Sequence, residues 1–193
     1  MKFTKMALAA SLIAGASFAN AGDIKYGLQI GHAKGGDNFS TEPSFQSSSD
    51  VGDGDFIGAF TIIPVSANEL SIKIAASYLS KEGSYPNNAK VKFTRLPIDV
   101  LLLKQIDKLQ LGAGLTYHLS SKAEFTDTNG EITTTDTKNA FGIALEANYQ
   151  VFSNDSLAVD LGVRYTNIEY KFKDKDSTKR DGSNFAITAG ITF

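Results

Sequence analysis

Leu109-Gln110-Leu111-Gly112-Ala113-Gly114-Leu115-Thr116-Tyr117-His118-Leu119 puts an apolar residue at every odd position and a small or polar one at every even position. Successive side chains of a strand point to opposite faces, so this run offers one greasy wall and one bare or polar wall. Wound as a helix, the same residues would scatter both classes around the axis. The pattern recurs along the chain. Ile24 to Gly31 carries it on even positions, while Phe141 to Val151, Leu157 to Tyr165 and Phe185 to Phe193 carry it on odd ones. Three segments, at 54–65, 69–80 and 90–104, follow it less cleanly. Eight strands are expected.

Most of these runs are longer than the five or six residues usual in globular sheets. They approach the ~9–11 residues that a tilted strand needs to cross a bilayer. The connections alternate as well. Short turns at 66–68, 105–108 and 153–156 are interleaved with longer polar links at 35–53, 81–89, 122–138 and 173–183. Hairpins whose two ends differ in this way fit a barrel with tight turns on one side of a membrane and longer loops on the other. An even strand number returns both termini to the short-turn side. In a soluble sandwich the apolar wall would be a core and the polar wall would meet water. In a membrane barrel the apolar wall meets lipid and the polar wall lines the interior. Strand length, alternating links and the abundance of Gly on the polar wall weigh against the sandwich. The expected fold class is therefore all-β, an eight-stranded antiparallel up-and-down transmembrane barrel.

The first 21 of the 193 residues read as a cleaved export signal. A short basic opening (Lys2, Lys5) precedes the apolar run Met6–Phe18, and Ala19-Asn20-Ala21 is a small-x-small cleavage site. That run is too short to span a bilayer, for which a helix needs ~20 residues. One barrel domain, residues 22–193, is expected after it. Losing Lys2 and Lys5 takes Lys+Arg from 19 to 17 against 21 Asp+Glu, a net charge of −4. So mild a charge gives no reason to expect a nucleic-acid partner. Zero Cys removes disulfides, thiol nucleophiles, thiolate metal sites and an N-terminal lipidated Cys. Two His leave little for a zinc enzyme. No cofactor is implied.

The last strand ends Ala189-Gly190-Ile191-Thr192-Phe193, with apolar residues at alternate positions and a terminal Phe. With Leu111-Gly-Ala-Gly-Leu115-Thr-Tyr117 and Leu161-Gly-Val-Arg-Tyr165, it makes residues 22–193 resemble the small eight-stranded bacterial outer-membrane barrels of the OmpA-transmembrane, OmpX and OmpW kind. The resemblance implies an outer-membrane location, contact with outer-membrane lipid and lipopolysaccharide, and a monomer. It also implies that Phe193 belongs to a signal read by the barrel-assembly machinery. Two departures stand out. Without Trp, an aromatic girdle must come from Tyr26, Tyr78, Tyr117, Tyr149, Tyr165 and Phe193. Pro97 lies inside the fourth strand, where a closed barrel has no edge for its missing N–H, so a bulge is expected at 94–97. Such a bulge would reconcile Val91 and Phe93 with Ile98, Val100 and Leu102 on one face, and it leaves the direction of Arg95 open.

Parity places Lys25, Lys73, Asp99, Glu146, Asp160 and Arg164 on the interior face. Pairing through the 153–156 turn sets Glu146 opposite Arg164, which predicts an ion pair between them. Eight strands leave a lumen that side chains can fill, so these charges are either a static plug or a gate on a narrow path. His118-x-Ser120 with Glu131 resembles the site of barrel lipid A deacylases, where a His base serves a Ser nucleophile. Residue 121 is Ser where that family has Asn, and His118 shares the inward parity. Asp50, Asp53 and Asp55 lack the spacing of a calcium loop. In the last long link, Lys171, Lys173, Lys175, Lys179 and Arg180 are candidates for lipopolysaccharide phosphates. Three functions remain open on sequence: a non-enzymatic structural or surface-interaction barrel, a narrow porin-like channel, and a lipid A hydrolase.

Overall fold

The computed structural model describes residues 24–39, 48–66, 70–85, 88–173 and 179–193; the expected export signal and Lys175 lie outside them. Eight long antiparallel strands form the wall. They are β1 (Lys25–Lys34), β2 (Gly54–Ser66), β3 (Leu70–Ser84), β4 (Lys90–Ile106), β5 (Leu109–Thr126), β7 (Ala140–Ser153), β8 (Ala158–Lys171) and β10 (Asn184–Thr192). Two short strands, β6 (Ile132–Asp136) and β9 (Lys179–Asp181), extend the hairpins on the long-loop side. Each wall strand pairs with the next, and β10 returns to β1 with Leu28 opposite Ile191 and Lys34 opposite Phe185. Tyr26 and Phe193 close the seam by exchanging backbone hydrogen bonds of 3.3 and 2.7 Å. The barrel is closed, so no strand edge faces lipid.

The expected lipid wall is present. Leu28, Ile30, Ile57, Val100, Leu102, Leu111, Leu115, Ile143, Leu145, Leu161, Val163 and Ile187 are all exposed on the outside. Tyr26, Tyr149 and Phe193 stand toward the short turns, and Tyr117, Phe141 and Phe185 toward the long loops. Phe141 and Tyr149 are eight residues apart, roughly 21 Å along the axis for a strand tilted by ~40°. That is close to the height of an outer-membrane apolar band.

On the long-loop side the strands outrun the sequence reading, which ended β3 near 80, β5 near 119 and β8 near 165. Beyond the lipid band the alternation continues with inverted polarity. Val91, Phe93, Ala123, Ile168 and Tyr170 point inward into an apolar cluster, while Lys90, Glu124 and Lys171 point outward. The stretches 81–84 and 122–126, expected as parts of links, are therefore strand. This inversion also accounts for Val91 and Phe93. They do not share the lipid face of Ile98 and Val100; odd residues of β4 face inward from Val91 through Leu103.

The register does shift opposite Thr94–Leu96, but the additional residue belongs to β5. Thr94 pairs with Lys122 and Leu96 with Leu119. Inward parity on β5 changes from even at Thr116 and His118 to odd at Ser121 and Ala123. Pro97 is accommodated on its other side: β3 and β4 pair at Ala76–Ile98 and again at Leu79–Arg95, with no pairs between. The missing N–H falls in that lapse.

Interior glycines make room for large neighbours. Gly27 is opposite Phe60 and Gly31 opposite Phe56. A Cβ on either glycine would run into the facing ring, and also into a backbone carbonyl of β10 at 2.5 Å (Ile191) or 2.7 Å (Ile187). Gly27→Val is therefore expected to cost about 1–3 kcal/mol by overpacking. The urea midpoint of refolded barrel in lipid vesicles measures it, and Phe60→Ala in the same chain should recover part of the loss.

Candidate functional site in the barrel lumen

The lumen is crossed by two ion pairs. Lys73 Nζ on β3 donates to both carboxylate oxygens of Glu146 on β7, at 3.0 and 3.1 Å. Arg164 on β8 makes a bidentate pair with Asp99 on β4, at 2.8 and 2.7 Å. Each pair spans three strand steps around an eight-strand ring, so both reach across the interior. All four side chains are nearly sealed from water. An unpaired charge at that depth would be strongly destabilising, so mutual compensation is what permits them there. Asn148 adds a hydrogen bond to Glu146 at 3.1 Å, Thr166 takes one from Arg164 Nε at 3.3 Å, and Lys73 lies 4.7 Å from the Phe60 ring centroid.

This arrangement corrects the expected pairing. Glu146 and Arg164 are direct register partners, as their numbers predicted. Their charges nevertheless go to opposite walls. The lumen is narrow enough for long side chains to reach across it, and the planar guanidinium fork finds a matching carboxylate in Asp99. Of the other expected interior charges, Asp160 is half-buried beside the Lys73–Glu146 pair. Lys25 has the inward parity but sits exposed at the short-turn mouth.

What space remains is small. A cavity of about 30 Å³ lies on the short-turn side, lined by Gln29, Lys73, Gln110, Glu146 and Asp160 among others. A second, of about 20 Å³, is lined by Ser77, Asp99, His118 and Asn184 among others. Phe56 and Arg164 border both and stand between them. A water needs ~10–15 Å³ on this measure, so each chamber has room for one or two.

Above the second chamber the lumen turns apolar. Tyr170 and His118 share a hydrogen bond of 2.6 Å from Tyr170 Oη to His118 Nδ1. Phe93 meets Tyr170 edge-on at 5.3 Å between centroids. Val51, from the β1–β2 connection, is fully buried among them. Arg95, whose direction the sequence left open, points inward and holds that connection in place. Its guanidinium donates to the carbonyls of Val51, at 2.8 Å, and Asp53. None of this roof was legible as a site, because its parts come from four separate segments.

The remaining candidates are dispersed. His118 is buried against Tyr170, whereas Glu131 is exposed at the tip of the β5–β6 hairpin, well above it. The three aspartates of the 50–55 stretch serve different partners. Asp53 accepts from the N–H groups of Gly35 and Asp50, Asp50 from Asn38, and Asp55 pairs with His32. Among the described residues no group of three His, Cys, Asp or Glu could hold a metal ion. Lys171, Lys173 and Lys179 are exposed, while Arg180 is half-buried and shares the face of its register partner Tyr170.

An outer membrane protein beta-barrel domain matches residues 6–193. The chain belongs to this outer-membrane barrel family. Solved structures agree on the fold. Neisserial surface protein A is 15% identical with a TM-score of 0.54, covering 90% of this chain and 97% of its own. OprG from Pseudomonas aeruginosa is 13% identical with a TM-score of 0.55, covering 88% and 93%. The outer membrane protein AlkL is 13% identical with a TM-score of 0.51, covering 92% of each. No curated protein matches. Family membership supports a bacterial outer-membrane location for the barrel.

Double-mutant cycles on vesicle-refolded barrel discriminate the two pairings. Lys73–Glu146 and Asp99–Arg164 should show coupling of about 1.5 kcal/mol or more, and Glu146–Arg164 clearly less. Removing one partner alone should cost about 3–5 kcal/mol.

Proposed function

We propose that the protein is a non-enzymatic outer-membrane barrel with a plugged lumen, acting structurally and through its outer surface. The observation that carries this is the double closure of the interior. Two ion pairs and Phe56 block the polar half, and Val51, Phe93 and Tyr170 under the Arg95-held connection block the other. Two chambers of water size do not make a solute path. Single-channel recording on refolded barrel in a planar bilayer should therefore give no steady current. Steady current through folded wild-type protein, altered by Glu146→Ala, would overturn the plug in favour of a narrow channel.

Residues 1–21 serve export in this reading and are removed. The β10 strand and Phe193 form the segment that the assembly machinery recognises; Phe193 seals the seam against Tyr26 and leaves its ring on the lipid side. Phe193→Ala should accordingly reduce the amount of barrel inserted in the outer membrane of growing cells. Spontaneous refolding in short-chain lipid vesicles, which needs no machinery, should change little. An equal loss in both assays would mean that Phe193 matters for stability and not for recognition.

A further inference from the structure

The connection between β1 and β2 is bonded to itself as well as to the barrel. Its described residues form two arms, 35–39 and 48–53. Gly52 N donates to Gly35 O at 2.9 Å, and Val51 N to Asp37 O at 2.8 Å. Asn38 and Asp50 form a β-bridge, reinforced by Asn38 Nδ2 donating to Asp50 Oδ1 at 3.2 Å. Asp53 ties the roots together, accepting from Gly35 N at 2.9 Å and from Asp50 N at 3.2 Å. The arms thus make one unit. Both join the wall through glycine, Gly35-Gly36 after β1 and Gly54 at the head of β2. Gly35 and Gly36 stand at φ +142° and +87°, a region in which glycine moves at little cost. Hinges are built from a few such residues at element ends.

Contacts of three kinds hold the unit down. At its rim, Asp37 N donates to Asp181 O at 2.8 Å, and Ser48 N to Ser84 O at 2.9 Å. Val51 and Phe39 enter the aromatic cluster, with Phe39 meeting Phe93 edge-on at 5.5 Å. From beneath, Arg95 donates to the carbonyls of Val51 and Asp53. This last contact differs from the rest of the lumen. A cation buried for good is best met by a carboxylate, as Arg164 is by Asp99. Arg95 has none among the described residues, and its buried Nε has no hydrogen-bond partner. With the unit closed, its carbonyls stand in for water around the guanidinium. With the unit lifted, water enters by the gap and hydrates the same group, so the charge is stranded in neither state. An apolar side chain in that place would favour the closed state alone.

The second chamber lies beside the hinges. Ala33 and Phe56, each two residues from Gly35 or Gly54, line it together with Asn184 and Ala186. Its floor belongs to the wall strands, in Phe56 and the Asp99–Arg164 pair. We propose that the two arms form a hinged lid latched by Arg95, whose opening turns the second chamber into a blind pocket on the long-loop side. The floor stays shut, so opening admits water and small solutes without making a path across the membrane. The lid rests on the plugged-lumen reading and adds that the two closures act separately.

The chain has no Cys, so a single introduced thiol reports access without background. Ala186→Cys places one in the second chamber; Ala144→Cys places one beside Leu101 and Leu103, lining neither chamber. Both are refolded in phosphatidylcholine vesicles and timed against a charged methanethiosulfonate reagent. With Arg95 in place, Ala186→Cys should react through local opening and clearly faster than Ala144→Cys. Adding Arg95→Gln should speed Ala186→Cys by about tenfold or more and leave Ala144→Cys, which reports loosening of the whole barrel, unchanged. Arg95→Gln should also remain free of steady current. Should Arg95→Gln not refold, Gly36→Ala takes its place. A Cβ there meets Gly52 N and Asp181 O at 2.7 Å in a left-handed backbone conformation, which strains the closed lid, so the same acceleration is required. Equal rates at the two sites with Arg95 in place, no acceleration by the variant, or equal acceleration at both sites overturns the lid. Current that appears only with Arg95→Gln overturns the separate floor. Steady current through the wild-type lumen would instead count against the plugged reading itself.

Discussion

A strand in lipid has no water to satisfy its backbone, so every N–H and C=O must find another strand. The seam between β1 and β10 is where that demand is met for the whole wall. Register from Gly27–Thr192 to Lys34–Phe185 closes it, and the Tyr26–Phe193 hydrogen bonds finish it at the short-turn end. Closure at eight strands then fixes how wide the interior is. At that width inward side chains from distant strands meet, and the polar residues of the alternating pattern become a packed polar core.

Such a core explains why glycine is so frequent on the inward face. Phe56 and Phe60 lie over Gly31 and Gly27, and Glu146 lies over Gly112. At these positions bulk on one strand is matched by bareness on the next, and a Cβ on the glycine would collide with the large side chain opposite. A solvated sheet face has no such constraint. The glycine content that argued against a sandwich is therefore the footprint of lumen packing, read before the lumen was seen.

The sequence was most informative where a single period governs a segment. Strand number, the short turns at 105–108 and 153–156, lipid face and the Glu146–Arg164 register were all legible, because each follows from local alternation or hairpin arithmetic; the expected turn at 66–68 lies largely outside the described residues. What went wrong went wrong where two environments share one strand. Val91 and Phe93 are apolar because an aromatic cluster fills the upper lumen, and Ile98 and Val100 because lipid lies outside. Hydrophobicity alone does not distinguish those faces, so a change of environment read as a change of parity. The bulge was placed at the right height for a partly wrong reason, and its additional residue proved to be on β5. Ion-pair partners were illegible for another reason. Register tells which residues are neighbours on the wall, whereas Arg164 and Glu146 are long enough to choose partners across it.

Charge is handled in two ways on the two sides of this wall. Inside, where each uncompensated charge would cost several kcal/mol, the two carboxylates that cross the lumen each have their own cation, Glu146 with Lys73 and Asp99 with Arg164, while buried Asp53 is met by the N–H groups of Gly35 and Asp50. Arg95, a buried cation with no carboxylate partner among the described residues, is met by two backbone carbonyls and the Phe93 ring. Outside, water screens each pair, and exposed ion pairs contribute little to stability. Stability alone therefore does not dictate the outer pattern. Against that weak requirement, opposite-sign neighbours such as His32–Asp55 and Lys90–Glu82 need no partner beyond the protein. The interior charges are fixed by what the fold needs to stand closed; those of the outer rim are under no such constraint.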